Sequence, residues 1–178
     1  MPKYSANRIS EYLAICNTLL NSNAIRGQAL EDLSCYILGR VPGIEILDKR
    51  TKNTTETEEI DISFYNDNHP NGLKFLPNYC IAECKNWSHP VGSIEVSWFD
   101  RKMLDTNSSH GFFIALNGIT GNPDLFGNSH IIVRDALREG RYLIVIKQDE
   151  IRQLSTTDNF VELIKFKIGQ LKVRQTIV

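Results

Sequence analysis

The chain has 178 residues and a mass of 20.3 kDa; 42% of its residues are hydrophobic and 23% are charged. This is ordinary globular usage, which excludes a disordered or fibrous polymer. Its 20 basic and 21 acidic residues leave a formal charge of -1, so any attraction to nucleic acid has to be local rather than a property of the whole chain.

The longest apolar run, residues 111–116, is far shorter than the roughly 20 residues that cross a bilayer. The first eight residues also lack the apolar stretch of a secretion signal. We therefore expect no membrane association and a location in the cytosol.

The charge is uneven along the chain. Residues 134–178 carry a net charge of +3, and residues 1–133 carry a net charge of -4. This division permits a basic face, although ordinary solvated helix surfaces give the same pattern.

Two helices and a strand are predicted first. Apolar residues recur at helical spacing over residues 7–20, and a second helix follows the N-cap cluster at residues 21–23 and ends at Gly39. A short strand is predicted over residues 44–49. Residues 51–58 contain nothing to bury, which predicts a hairpin connection.

Two strands and a helix come next. Residues 59–65 alternate between apolar and polar side chains, and a further strand is predicted over residues 78–86. Ser93 is the predicted N-cap of a helix over residues 94–105. The pairs predicted to stack along it are Ile94 with Trp98 and Phe99 with Met103.

The last third of the chain alternates between strands and helices. Residues 111–116 are apolar on both faces, which favours a central strand covered by helices. A glycine-containing loop of about ten residues follows, long enough to suspect a functional role. The remaining elements are predicted as a helix (131–139), a buried strand (142–146) and a helix (159–171).

This order predicts an α/β fold with a mixed central sheet of about five strands flanked by helices. No linker or repeat divides the chain. We therefore predict a single domain with an N-terminal helix (1–22), a core that carries the candidate site (23–147) and a C-terminal helical segment (148–178).

The four cysteines are at positions 16, 35, 80 and 84. If residues 78–86 form a strand, Cys80 and Cys84 lie roughly 13 Å apart, too far for two ligands of one zinc ion. We interpret the four thiols as small hydrophobic side chains in a reducing compartment.

The most informative segment ends the strand at residues 78–86. Glu83 and Lys85 are two residues apart and point to the same side of the strand, and Asp61 lies on the face of the preceding strand that is opposite its isoleucines. If the strands are neighbours, Asp61 and Glu83 converge beside Lys85. Two carboxylates suit Mg²⁺, which acidifies a bound water, and a lysine can orient or deprotonate that water.

A simpler interpretation also fits these residues. Lys85 and one of the carboxylates can form a cross-strand ion pair on a solvated sheet, and Glu-x-Lys patterns are common on half-exposed strands. The spacing alone leaves the two interpretations open.

Asp61, a gap and then Glu83-Cys84-Lys85 resemble the signature of the restriction-endonuclease-like PD-(D/E)xK nuclease superfamily, and the chain is most similar to the Mrr-like restriction endonucleases. The resemblance implies an αβββαβ core. It implies metal binding by Asp61, by Glu83 and by the main-chain carbonyl of Cys84, and a supporting role for Glu31 on the preceding helix. Ile60 stands where the fuller signature has proline, a position that varies among these nucleases.

We therefore expect a Mg²⁺-dependent endonuclease that cuts DNA, with Mn²⁺ as a substitute, catalytic residues Asp61, Glu83, Lys85 and Glu31, and nucleic-acid contacts from Asn86 and Trp87. Because symmetric cutting of two strands needs two copies, we expect a homodimer, with a target-selecting partner subunit as a further possibility. The alternatives are a nuclease that acts on RNA or branched DNA, and a nucleic-acid-binding module of the same fold that does not cleave.

Overall fold

A computed structural model of the protein describes residues 2–52, 59–121 and 128–175. The elements in these ranges are α1 (Ala6–Asn17), α2 (Asn23–Gly39), β1 (Ile44–Lys52), β2 (Glu59–Asn66), β3 (Tyr79–Lys85), α3 (Ser93–Asp105), β4 (His110–Ala115), α4 (Asn128–Arg138), β5 (Tyr142–Ile146), α5 (Gln148–Arg152) and α6 (Thr157–Arg174). Each of these helices is too short or too polar to cross a bilayer.

The five strands form one mixed sheet in the order β1-β2-β3-β4-β5. The β1–β2 and β2–β3 pairs are antiparallel, whereas β3–β4 and β4–β5 are parallel. This confirms the predicted mixed α/β sheet. Most of the predicted hairpin connection (53–58) and of the predicted glycine loop (122–127) lies outside the described residues.

Helices cover both faces of the sheet, as the apolar sequence of β4 predicts. Phe112 and Phe113 are both fully buried, and because they are consecutive they point to opposite faces. Phe112 packs against Phe64 of β2 and Phe160 of α6, and Phe113 packs against Phe99 of α3. The core therefore continues through the sheet on both sides.

The close approach of α3 to the sheet depends on Gly111 in β4. A Cβ atom at this position would lie 2.6 Å from the sulfur of Met103 and 2.8 Å from the Phe99 ring, both on α3. Since real Cβ atoms do not make such contacts, the glycine lets α3 pack directly on β4. The helix is thereby held over the face of β3 that carries Glu83.

Helix α1 is shorter than predicted. It ends at Asn17, and Leu19 and Leu20 are 81% and 97% exposed rather than part of a helical core face. The Thr18 hydroxyl donates to the Ala14 carbonyl and the Asn21 amide donates to the Ile15 carbonyl. These side chains satisfy carbonyls at the end of the helix, which is the physical reason that it stops there.

Helix α3 departs from the prediction at its start. Its N-cap is Gly92 rather than Ser93. Phe99 and Met103 are buried, whereas Ile94 and Trp98 are 63% and 68% exposed, so only one of the two predicted pairs faces the sheet. Periodicity identified the helix correctly but not which of its two apolar stripes faces the sheet.

Helix α5 was not predicted, because five residues give too few positions for a helical period. The cysteines are all free thiols. Cys16 and Cys80 are fully buried, as the small-hydrophobe interpretation expects, whereas Cys35 and Cys84 are half-buried.

Candidate active site

The candidate site lies where β2 and β3 stop pairing. Their register pairs Ser63 with Ile81 and Ile62 with Ala82, and no pairing follows. One step further along the same register, Asp61 faces Glu83. Because directly opposite residues share a sheet face, the two carboxylates point to the same side.

The Asp61 side chain takes over the hydrogen bond that the strand pairing no longer supplies. Its Oδ2 accepts from the main-chain N–H of Cys84 at 2.7 Å. This contact ties β2 to β3 beyond the last paired residues and fixes the orientation of the carboxylate. Among the described residues, the second oxygen, Oδ1, has no hydrogen-bond donor.

Burial and a like charge both oppose ionisation of Asp61. Desolvation is the larger cause and the nearby Glu83 carboxylate is the second; together they raise the pKa of Asp61 to about 6, against the hydrogen bond from Cys84 and the charge of Lys85. A raised carboxyl pKa beside a second carboxylate is a common property of functional sites.

Glu83 is the most deeply buried charged group of the site, with 6% of its side chain exposed. Lys85 Nζ lies 2.7 Å from its Oε1, and Lys102 Nζ lies 2.7 Å from its Oε2. Lys102 also donates to the main-chain carbonyl of Glu59 at 2.5 Å. Lys102 therefore links α3 to both strands at the point where they separate.

Lys85 keeps its positive charge in this setting. Partial burial acts to lower its pKa, but the Glu83 carboxylate, with smaller contributions from Asp61 and Glu95, outweighs burial and raises it. A lysine with a raised pKa does not serve as a general base near neutral pH. Its ammonium group can instead orient a water or stabilise negative charge.

These groups line a cavity of about 460 Å³, a size typical of ligand-binding clefts. Side chains from β2, β3 and α3 form its wall: Glu59, Asp61, Glu83, Lys85, Glu95, Trp98, Arg101 and Lys102. Half of this lining comes from α3, which the sequence analysis did not place at the site. A usable signal was present, because Glu95, Trp98 and Lys102 fall on one stripe of the helix.

Glu31 is buried in a different cluster and does not line this cavity. Helix α2 packs on the opposite face of β3, where the Cys84 sulfur lies 3.4 Å from the Ser34 hydroxyl. The Arg50 guanidinium donates two hydrogen bonds to the Glu31 carboxylate, at 2.8 and 3.0 Å, and Lys49 Nζ lies 3.5 Å from Glu31 Oε2. The structure thus brings Asp61, Glu83 and Lys85 together but leaves Glu31 in ion pairs with β1.

Asn86 and Trp87 lie next to a second cavity, of about 460 Å³, on the other side of Lys85. The Asn86 amide donates to the main-chain carbonyls of Cys16 and Arg26 at 3.0 Å each, so its side chain already connects α1 and α2 to the end of β3. Trp87 is half-buried, and its ring meets that of His89 edge-on at 5.4 Å.

The donor set suits a magnesium ion better than a transition metal. In residues 2–52, 59–121 and 128–175, no three His, Cys, Asp or Glu side chains group together as a metal site. Mg²⁺ binds through one or two carboxylates and keeps water or substrate phosphate in its remaining positions. Asp61, with an unpaired oxygen, meets this requirement, whereas each Glu83 oxygen contacts an ammonium group that a cation would have to displace. The main chain of Cys84 lies beyond the last β2–β3 pair, next to both carboxylates.

The sequence was compared with models of protein families and with curated proteins. Neither comparison gives a match. What the protein does has therefore to be argued from the chemistry of the cavity.

Proposed function

We propose that the protein is a Mg²⁺-dependent endonuclease that hydrolyses DNA phosphodiester bonds, of a restriction or defence type. The observation that supports the proposal is that Asp61, Glu83 and Lys85 meet at one cavity where two strands separate. The same three residues carry the resemblance to restriction-endonuclease-like nucleases in the sequence.

Asp61, Glu83 and the main-chain carbonyl of Cys84 would hold the cation, with Mn²⁺ as a substitute. When bound, the cation acidifies a water and neutralises charge that develops on the phosphate. The Cys84 N–H holds Asp61 in a fixed orientation, and this preorganisation lowers the free-energy cost of assembling the site.

Lys85 has an electrostatic role in this proposal. Its ammonium group already lies against Glu83 at the cavity wall, and its raised pKa keeps it charged. It would position the attacking water and stabilise the negative charge of the phosphate. Of the two roles that the sequence left open, orienting the water is the one that this placement of the ammonium group supports.

DNA is the proposed partner, and a homodimer is the proposed assembly. One chain carries one such cavity among its described residues, so cutting both strands of a duplex at matched positions requires a second copy. A further subunit that selects the target is compatible with a chain of this size.

Replacement of Lys85 by alanine tests the proposal. We expect cleavage of supercoiled plasmid with Mg²⁺ or Mn²⁺ to fall about 100-fold or more, while circular dichroism shows an unchanged fold. Lys165→Ala is the matched control, because Lys165 is an exposed lysine of α6 that pairs with Glu162 one turn away, lies over the Phe75 ring and does not line the cavity. Cleavage by the Lys85 variant at the wild-type rate would contradict the proposal.

The substrates in that assay separate the remaining alternatives. Supercoiled DNA, a branched DNA junction, single-stranded DNA and RNA are compared under one set of conditions. Faster cleavage of RNA or of the junction would move the proposal to that substrate, with the same residues in the same roles.

A second candidate is a nucleic-acid-binding module of the same fold that does not cleave. The observation that favours it is that both Glu83 oxygens already contact ammonium groups, from Lys85 and Lys102. A cation has to compete with both. Wild-type protein that shifts DNA in a gel but never nicks it with Mg²⁺ or Mn²⁺ would establish this candidate.

A further inference from the structure

Trp98 is a large aromatic side chain that the fold leaves uncovered at the rim of the candidate site. It is 68% exposed on α3, and Ile94, one turn earlier, is 63% exposed. The Trp98 side chain lines the cavity that contains Asp61 and Glu83, and it also lines a neighbouring cavity with Ser93, Ile94, Ser97 and Ile132. The indole therefore separates two depressions of the surface.

The charges beside Trp98 show which kind of ligand suits this surface. Arg101, with 65% of its side chain exposed, and the two lysines Lys85 and Lys102 line the same cavity as the indole. An exposed aromatic ring beside cationic groups is the combination with which proteins hold unpaired nucleotides, since the bases stack on the ring and the phosphates meet the cations. Each of these cations already pairs with a carboxylate, Lys85 and Lys102 with Glu83 and Arg101 with Asp105, so a phosphate competes with those carboxylates, most easily at the exposed Arg101.

The carboxylates that line the cavity weaken its attraction for a phosphate. Four of its lining residues are acidic and three are basic, so the lining alone does not attract a phosphate. A divalent cation at Asp61 and Glu83 reverses that balance. The inference therefore rests on the proposed function for its cation, but not on cleavage.

We propose that Trp98 is a base-stacking platform and that the preferred ligand is a nucleic-acid strand with unpaired bases next to the phosphate in the cavity. In a duplex, the faces of the bases are covered by their neighbours and only edges and phosphates are available. The exposed indole of Trp98 can stack on the face of an unpaired base but does not hydrogen-bond to the edges of paired bases. It therefore favours single strands, frayed ends or junctions.

A second cavity shares Lys85 with the cavity that Trp98 lines. This second cavity is also lined by Arg26, Trp87 and His89. Each cavity thus has an aromatic side chain and an arginine in its lining. The repeated pair of residue types, with a lysine in common, favours a strand of several nucleotides over a single mononucleotide.

The experiment measures binding separately from cleavage. Fluorescence anisotropy of a labelled thymidylate dodecamer is recorded with Ca²⁺ for the full-length wild type, Trp98→Leu, Trp98→Phe and Leu104→Ala. The same series is repeated with an oligouridylate, with an abasic strand of equal length and with a duplex. Leu104 is the matched control, since it is an exposed apolar residue of α3 that does not line this cavity.

We expect the wild type to bind the single strand about 10-fold or more tightly than the duplex or the abasic strand. Trp98→Leu should weaken single-strand binding about 10- to 100-fold, Trp98→Phe should restore most of it, and Leu104→Ala should bind like the wild type. The thymidylate and uridylate arms show whether DNA or RNA is preferred.

Equal or tighter binding of the duplex, or of the abasic strand, would overturn the inference. Single-strand binding by Trp98→Leu with the affinity of the wild type would also overturn it. That result would favour a protein partner as the ligand of the exposed Ile94 and Trp98. If the protein binds single strands through Trp98 but never cleaves, the stacking inference is supported and the proposed nuclease function is contradicted. If it cleaves DNA and Trp98→Leu binds like the wild type, the nuclease function is supported and the stacking inference is contradicted.

Discussion

Two buried glutamates of this protein, Glu31 and Glu83, lie in acidic clusters on opposite faces of the sheet. Glu31 accepts hydrogen bonds from Nε and Nη2 of Arg50, and its neighbour Asp32 forms an ion pair with Lys49 at 2.6 Å. Glu83 instead shares its environment with a second carboxylate, Asp61, at the wall of a cavity.

The pKa values of the two aspartates show the consequence. Although partial burial acts against it, hydrogen bonds from Lys49 and Gln28 lower the pKa of Asp32. Burial and the charge of Glu83 raise the pKa of Asp61 to about 6. One cluster is electrostatically satisfied and the other is not, so burial of a carboxylate by itself does not mark a functional site.

The backbone of Arg50 explains part of this difference. Its neighbours Lys49 and Thr51 pair with Ile62 and Ile60, which places Arg50 across from Asp61. Its φ of 59° lies in the left-handed region, which interrupts the alternation of side chains along β1. The guanidinium hydrogen-bonds to Glu31 rather than to Asp61, with which it interacts only at longer range.

The largest effect is expected for Glu83→Gln. Loss of this carboxylate leaves two partly buried ammonium groups unpaired, which should lower the free energy of unfolding by about 3 kcal/mol. Plasmid cleavage should fall about 1,000-fold in the protein that remains folded. Urea unfolding and plasmid nicking measure the two effects; an unchanged unfolding midpoint would show that the two ion pairs contribute nothing.

Asp61→Asn should separate stability from activity. The amide can still accept from Cys84, but the charge that Glu83 and burial oppose is gone, so the free energy of unfolding at pH 7.5 should rise by about 1–3 kcal/mol while cleavage is lost. Urea titrations at several pH values measure it.

The pH dependence follows from the direction of the Asp61 shift. Its folded-state pKa lies above the unfolded value of 3.8, so the free energy of unfolding of the wild type decreases as the pH rises from about 4 to about 6. The advantage of the variant should therefore be complete above pH 6 and vanish below pH 4. A variant less stable than the wild type at pH 7.5 would contradict the comparison of the two clusters.

The smallest effect is expected for Glu31→Gln. Arg50 is 45% exposed and can turn to solvent, so the free energy of unfolding should fall by only about 1–2 kcal/mol. Cleavage should fall much less than in Glu83→Gln, because Glu31 does not line the cavity. A loss as large as that of Glu83→Gln in a folded protein would instead place Glu31 at the metal, as the family resemblance implies.

Several features of the site could be predicted from the sequence because they depend on local geometry. The side chains of Glu83 and Lys85 share a face since strand residues alternate, and Asp61 meets them because consecutive strands tend to pair, here across the connection at residues 67–78. The role of α3 could not be predicted in the same way. Trp98 and Lys102 lie 13 or more positions beyond Lys85 in the chain, so although they share a helix stripe with Glu95, the sequence does not show that this stripe faces Glu83.

The amino-acid sequence by itself determined the α/β class, the apolar central strand β4 and the spacing that aligns Glu83 with Lys85, since periodicity and alternation are properties of neighbouring residues. Only the tertiary structure decided the environment of each charge. It set Glu31 against Arg50, placed Lys102 on Glu83 and left Trp98 at the rim, because burial, ion pairing and exposure depend on which elements pack together and on which face of the sheet they do so.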